Sequence, residues 1–252
     1  RIVTQRQHEQ GKNDARSSTP SMETQPAVCE RCRDSGSNRS GEYCACPVGM
    51  TARDRHMAIY ASLPNSGQPR TFENFERRPE NEEALDAALD FAHSRSANPV
   101  LTLFGPNGTG KSHLLEAIGR YMMPQGKWVK YVFSADLLDA LRSSYDDDAE
   151  VNFEQVYERY SLPPVLLLDD LGTEKSTEWA VEKLTRLVDV RYREDKPMVV
   201  ATNLTEDMMA EKLSPRLADR LFDHRTGKVK VAHITGKSYR TERHWGVPWG
   251  RK

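Results

Sequence analysis

The chain has no run of about 18 or more apolar residues, so no membrane-spanning helix is expected. Its first 25 residues, RIVTQRQHEQGKNDARSSTPSMETQ, lack the apolar stretch of a secretory signal. Export is therefore not expected, and the reading is a cytoplasmic protein. Net charge is nearly absent: 36 Lys and Arg stand against 37 Asp and Glu, giving −1. No global field draws such a chain to nucleic acid or membrane, so any nucleic-acid contact must come from local patches. Cysteine is scarce. Four occur, all between residues 29 and 46, and none elsewhere. In a reducing compartment this disfavours a disulfide framework and favours a metal site.

What is present is enough for one large domain and a small accessory module in 252 residues. Residues 1–27 are polar and read as a disordered tail. Residues 28–63 hold the cysteines and a short predicted helix, TARDRHMAIYASL, and residues 64–75 read as a linker that opens with PNSGQPR. From 76 to 236 short apolar runs (PVLTLFG, KWVKYVF, PVLLLDD, PMVVATN, KVKVAHIT) alternate with helical patterns. One of these, SADLLDALRSSY, starts on Ser134 as expected N-cap. Strands alternating with helices predict an α/β fold, a parallel five-stranded sheet with helices on both faces. Residues 237–252 form a basic, aromatic tail, with five Lys or Arg against one Glu and with Tyr239, Trp245 and Trp249. No internal repeat is visible.

The stretch FGPNGTGKSHLL carries the clearest chemistry. Gly105, Gly110, Lys111 and Ser112 match the phosphate-loop pattern G-x-x-x-x-G-K-[ST], with an apolar strand before it and an amphipathic helix after it. Glycines let backbone N–H groups curl around phosphate oxygens, and the helix N-terminus adds partial positive charge. Gly105, Pro106, Asn107, Gly108, Thr109, Gly110, Lys111, Ser112 and His113 are the candidate ATP-binding residues. Lys111 would reach the β- and γ-phosphates and Ser112 would ligate Mg²⁺. The plainer alternative is a glycine-rich turn that only joins strand to helix.

Three further elements belong with it. VLLLDDLG ends a buried strand with Asp169 and Asp170, where ligands sit in open α/β sheets. Asp169 would hold Mg²⁺, and Asp170 would orient and deprotonate the attacking water; two solvated turn acids is the alternative. VVATN ends a strand on Asn203, an amide able to meet a γ-phosphate or the water, or simply a turn residue. In LSPRLADRLF, Arg216 and Arg220 share one helix face opposite Leu213, Leu217 and Leu221. Such a pair is either solvated charge or an arginine finger offered to a neighbouring subunit's γ-phosphate.

These elements, in this order, resemble the AAA+ ATPases. TFENF, GPNGTGKSHLL, LLLDDLG with Glu174 following, ATNL, RLADRL and ITGKSYR resemble the DnaC/DnaI-type replicative helicase loaders, a group that includes phage proteins. The resemblance covers roughly residues 29 to 243. It implies an ATPase that binds a hexameric helicase and single-stranded DNA, assembles through ATP sites at subunit interfaces, and times helicase delivery in DNA replication. Asp170 stands where most AAA+ proteins carry Glu, which implies slow hydrolysis. Asn203 matches the first sensor, Arg220 matches the finger position best with Arg216 second, and Arg240 matches a second sensor. The separate lid domain that usually carries that sensor is not expected here. Phe72 and Phe75 would lie near the adenine or anchor the linker in the core. A transposition helper of the IstB type and a non-hydrolysing ATP-binding scaffold are the alternatives.

Cys29, Cys32, Cys44 and Cys46 are spaced C-x₂-C, eleven residues, C-x-C, a pattern able to hold tetrahedral Zn²⁺ whose binding would supply the module's folding energy. Unliganded thiols are the alternative. The resemblance puts single-stranded DNA near Arg142, Ser143, Ser144 and Tyr145, against which the acids at 146–148 argue. The C-terminal tail is the second candidate, or it docks on its own domain.

Overall fold

A computed structural model of the chain describes residues 46, 62–64, 68–145, 151–173 and 177–239, and among these the apolar runs form one sheet of five strands. They are β1 (Val100–Phe104), β2 (Val129–Phe133), β3 (Val165–Leu171), β4 (Met198–Thr202) and β5 (Val229–His233), in the order β2-β3-β4-β1-β5. Every pairing is parallel. The expected α/β architecture, a parallel five-stranded sheet with helices on both faces, is therefore present. Strand order is what the alternation of elements could not supply: β4 lies between the strand of the phosphate loop and the strand of the acids.

Side-chain alternation divides the interior in two. Leu166, Leu168, Met198 and Val200 face one layer, while Leu167, Val199, Ala201, Leu101 and Leu103 face the other. The first layer is covered by α3 (Ser134–Ser143), α4 (Phe153–Ser161), α5 (Glu178–Arg193) and α7 (Pro215–Phe222), with α6 (Glu206–Lys212) packed on α7. The second is covered by α1 (Glu82–Ala92) and α2 (Lys111–Met122). Strands buried on both faces need continuous apolar runs, as VLLL and MVVA are.

Helix starts follow local chemistry. The side chains of Asn152, Thr177, Thr205 and Ser214 each accept a backbone N–H of the first turn of α4, α5, α6 and α7. Ser134 does not act as the expected cap. It is the first residue of α3, fully buried, and its hydroxyl donates 3.0 Å to the Asp170 carbonyl. A buried hydroxyl takes the acceptor that faces it, and here that acceptor is the end of β3.

Arg191 of α5 is wholly buried. Its guanidinium donates to the carbonyls of Tyr160, Ser161, Pro163, Pro164 and Pro197 at 2.7–3.4 Å. It thus ties the end of α4 and the entries to β3 and β4 together. Burial pushes its pKa down to about 9, which leaves it charged at neutral pH.

The expected tail 1–27, three of the four cysteines, the body of the expected helix at 51–61, Glu174, the acids 146–148, Arg240, Trp245 and Trp249 lie outside the described residues. Cys46 is half-buried. Ser62 is described not in a helix but in a parallel bridge to Lys130 of β2. Phe75, the last residue of the expected linker, is buried in the α1–α2 layer.

Candidate functional site

The C-terminal ends of β1, β3 and β4 open onto a cleft of about 340 Å³. Its lining includes Asn107, Gly108, Gly110, Lys111, Ser112, His113, Asp169, Asp170 and Asn203, so the sequence-predicted phosphate loop, acids and amide converge on one space. Arg216 and Arg220 do not line it.

The loop between β1 and α2 holds its shape through glycine. Gly108 and Gly110 have φ of 77° and 107°, values that side-chain-bearing residues rarely adopt. A Cβ on Gly108 would stand 2.1 Å from Ser238 Oγ, and one on Gly110 would stand 2.9 Å from the Phe75 ring. The first amides of α2 have no acceptor within their own helix, and its first turn carries no acid. Lys111 Nζ lies back along the loop and donates to the carbonyls of Gly105 and Pro106, each at 2.7 Å. This cradle of amides with a lysine inside it fits a phosphate chain.

Asp169 is 1% exposed. Its Oδ1 accepts from Ser112 Oγ at 3.1 Å and from the Asp170 N–H at 2.9 Å, and its Oδ2 accepts from the Tyr131 hydroxyl. Burial pushes the carboxyl pKa up, and those three donors pull against that rise. Burial also pushes the Tyr131 hydroxyl well above the usual phenol range, so Tyr131 remains the donor. The hydroxyl of Ser112 and the carboxylate of Asp169 meet at the loop, a hard-oxygen pair suited to Mg²⁺.

Asp170 departs from the strand. Its φ is 58°, and the register of β3 against β4 shifts between Leu168 and Leu171. Such a bulge re-aims a side chain. The Asp170 carboxylate accepts from Thr173 Oγ1 at 3.2 Å and meets Asn203 Nδ2 at 3.5 Å, the outer limit of a hydrogen bond. Asn203 is set by its neighbour: Thr202 Oγ1 donates 2.7 Å to the Leu171 carbonyl and accepts the Leu204 N–H at 3.0 Å, which stitches the end of β4 to β3. Among the described residues, Asn203 Oδ1 is buried without a hydrogen-bond partner. At the mouth of a phosphate cradle, an orphaned amide oxygen beside a carboxylate fits a site that holds a water between them.

The two aromatic residues of TFENF part company. Phe75 lines the cleft, its ring edge-on to His113 at 5.1 Å. Phe72 packs edge-on against Tyr121 at 6.2 Å in the core. Tyr239 also lines the cleft. Its N–H donates 3.0 Å to the Gly108 carbonyl, its hydroxyl donates 2.8 Å to the Glu76 carbonyl, and Arg78 stacks on its ring at 4.0 Å. The aromatic assigned to the tail for base stacking is therefore part of the wall beside the phosphate loop.

Arg216 and Arg220 lie on α7 and converge on Asp189 of α5. Arg216 Nη2 meets Asp189 Oδ2 at 2.7 Å, and Arg220 Nε meets Oδ1 at 3.2 Å. Burial opposes ionisation of Asp189, but the bonds from Arg216 and Arg220 outweigh it and hold the carboxyl below its ordinary range. Tyr145, expected at a DNA-binding surface, is half-exposed and clusters with Phe153 and Trp179 at ring distances of 5.1 and 6.2 Å. Arg142 lies 5.2 Å over the Trp179 ring.

Tyr131, Ser134, Thr173 and Asp189 carry no site role in the sequence reading, and Tyr239 carries only that of a tail aromatic. Only Tyr131 had a signal, as a phenol alternating on the strand whose end abuts the acids.

Comparison with known proteins gives three kinds of likeness. The model of the family described as IstB-like ATP binding protein matches residues 51–245. The replicative helicase loader DnaC of Buchnera aphidicola subsp. Baizongia pistaciae is 28% identical over 176 residues, 69% of this chain and 70% of that protein. The uncharacterised protein YdaV of Escherichia coli (strain K12) is 30% identical over 179 residues, 68% of this chain and 71% of that protein. A crystal structure titled as the DnaC helicase loader superposes with a TM-score of 0.56 at 21% identity, covering 66% of this chain and 97% of that one, a likeness of fold.

Proposed function

The chain belongs to the IstB-like ATP binding protein family, and from that premise we propose that it is an ATP-hydrolysing loader of a hexameric replicative helicase. The observation that carries the ATPase reading is the convergence of Lys111, Ser112, Asp169, Asp170 and Asn203 on one cleft. The likeness to DnaC of Buchnera aphidicola supports the loader reading.

The bound Mg–ATP supplies a polarised γ-phosphoryl group. Lys111, which donates to the Gly105 and Pro106 carbonyls, would be within the loop to meet the phosphates. Ser112 and Asp169 would hold the metal ion, with Tyr131 fixing the far oxygen of Asp169. Asp170 takes the proton of a water held between its carboxylate and Asn203. Its side chain is one methylene shorter than Glu, which suits slow hydrolysis and a timing role. Arg220 and Arg216 meet the γ-phosphate of an adjoining subunit. The Arg142, Tyr145 and Trp179 surface receives single-stranded DNA by stacking and charge.

The family model itself favours a second reading, an IstB-type helper ATPase of transposition. One experiment separates the two. The full chain is mixed with candidate hexameric helicases and, separately, with duplex DNA, each with ATP, and the products are followed by size-exclusion chromatography and electron microscopy. A stable helicase complex, with hydrolysis altered by single-stranded DNA and abolished by Asp170→Asn, is the expected result. Filaments on duplex DNA with no helicase complex would replace the loader with the helper. Hydrolysis unchanged by Asp170→Asn would remove the catalytic assignment from both.

A further inference from the structure

We infer that Asp189 is a positioning residue for the arginine pair that completes a neighbouring ATP site. This rests on the reading of Arg216 and Arg220 as groups offered between subunits.

The geometry is that of a buried carboxylate beneath one exposed and one partly buried guanidinium. Asp189 is 4% exposed, whereas the Arg216 side chain is 61% exposed. One oxygen takes Arg220 Nε at 3.2 Å, and the other takes Arg216 Nη2 at 2.7 Å and Arg193 Nε at 3.2 Å. Arg220 is held further by Asp219 Oδ2 at 2.5 Å on Nη1 and by the Tyr192 ring at 4.7 Å. Two guanidiniums one helical turn apart repel each other, and on a bare helix their long side chains would splay. Asp189 grips Arg220 at Nε and Arg216 at Nη2.

The grip leaves donors to spare. Among the described residues, Arg220 Nη2 and Arg216 Nη1 and Nε make no hydrogen bond. Three guanidiniums against the carboxylates of Asp189 and Asp219 leave a net charge of +1 in this cluster. Spare N–H donors on a net positive, pre-oriented fork are what a phosphate oxygen requires. Asp189 does not line the nucleotide cleft of its own chain. Its loss therefore acts on a neighbour's site.

A subunit-mixing experiment tests this. Hydrolysis is measured on the full chain at a concentration where assembly is complete by light scattering. Asp189→Ala is expected to lower kcat roughly 10- to 100-fold, the scale of an ångström-level misplacement, with ATP affinity of the isolated subunit unchanged. Adding Lys111→Ala subunits, whose own site is dead but whose arginines are intact, restores hydrolysis at mixed interfaces. Arg220→Ala is the control and is rescued the same way. Should Asp189→Ala not fold, Asp189→Asn carries the same test. If Arg220→Ala keeps the wild-type rate or is not rescued, the reading between subunits falls and this inference falls with it. If Arg220→Ala is rescued while the Asp189 variant is not, or keeps the wild-type rate, the inference alone falls.

Discussion

Asp170 sits at φ 58° in a bulge, and that backbone can be weighed separately from its carboxylate. An L-residue in the left-handed region costs about 1–2 kcal/mol, a cost Asp offsets in part by accepting from Thr173. Asp170→Ala keeps the Cβ penalty and loses that bond. Asp170→Gly loses the bond and the penalty together, against about 0.5–1 kcal/mol of extra chain entropy in the unfolded state. At the midpoints of these ranges the glycine variant should be the more stable of the two by roughly 0.75 kcal/mol, or about 1.5–3 °C in Tm for a domain of this size. Both lack the carboxylate, so both should hydrolyse ATP about 10²- to 10⁴-fold more slowly. Urea unfolding beside single-turnover hydrolysis reads the two effects independently. Alanine as stable as glycine would refute the left-handed backbone at Asp170. Wild-type turnover in either variant would refute its role as base.

Tyr131→Phe leaves Asp169 Oδ2 without its donor, and hydrogen bonds to charged groups are worth about 1.5–3 kcal/mol. Urea unfolding should show a loss of that order, with weaker Mg²⁺-dependent nucleotide binding by titration calorimetry; unchanged stability would exclude the bond. Arg191→Met strands five carbonyls around a lost cation and should cost at least about 3 kcal/mol. A loss under about 1 kcal/mol would mean that water replaces the guanidinium. Asp189 is held below the ordinary aspartate value of about 3.9, so the stability it contributes is present above that pH and is lost as pH falls through the lower folded value. Asp189→Asn should therefore cost as much at pH 5 as at pH 7 by denaturant unfolding. A cost already gone at pH 5 would contradict the ion cluster.

The parts legible in the sequence are those whose meaning is local. GPNGTGKS and LLLDD each combine a strand, a turn and a chemical group within a few residues, and the fold brings them to one cleft. Arg216 and Arg220 share a helix face at four-residue spacing, and they do point the same way. Their partner Asp189 lies 27 residues from Arg216 inside RLVDVRYR, where it reads as an ordinary polar position on an amphipathic helix. Tyr131 is 38 residues from Asp169, and alternation in KWVKYVF gives a face but not a partner. Ser134 is a cap by residue type, being serine before an apolar helix, but burial gives its hydroxyl to another strand. Tyr239 was grouped with a basic tail by composition, and only the return of the chain after β5 brings it to Gly108. Strand order, which seats Asn203 between loop and acids, is set by packing over the whole chain.

That order also governs how the protein is made. Strand β1 is complete by residue 104, yet its two neighbours are β4 and β5, paired through Val100 with Met198 and with Val229. On a ribosome adding about 5–20 residues per second, the strand that delivers the phosphate loop waits for most of the chain before it has an edge to join. Contacts this distant in sequence slow folding, since loop closure must precede their reward. The nucleotide cradle therefore cannot form until most of the chain has been made, and ATP cannot template the early chain. A nascent chain stalled before residue 198 should bind no nucleotide, although every residue of the phosphate loop is already present.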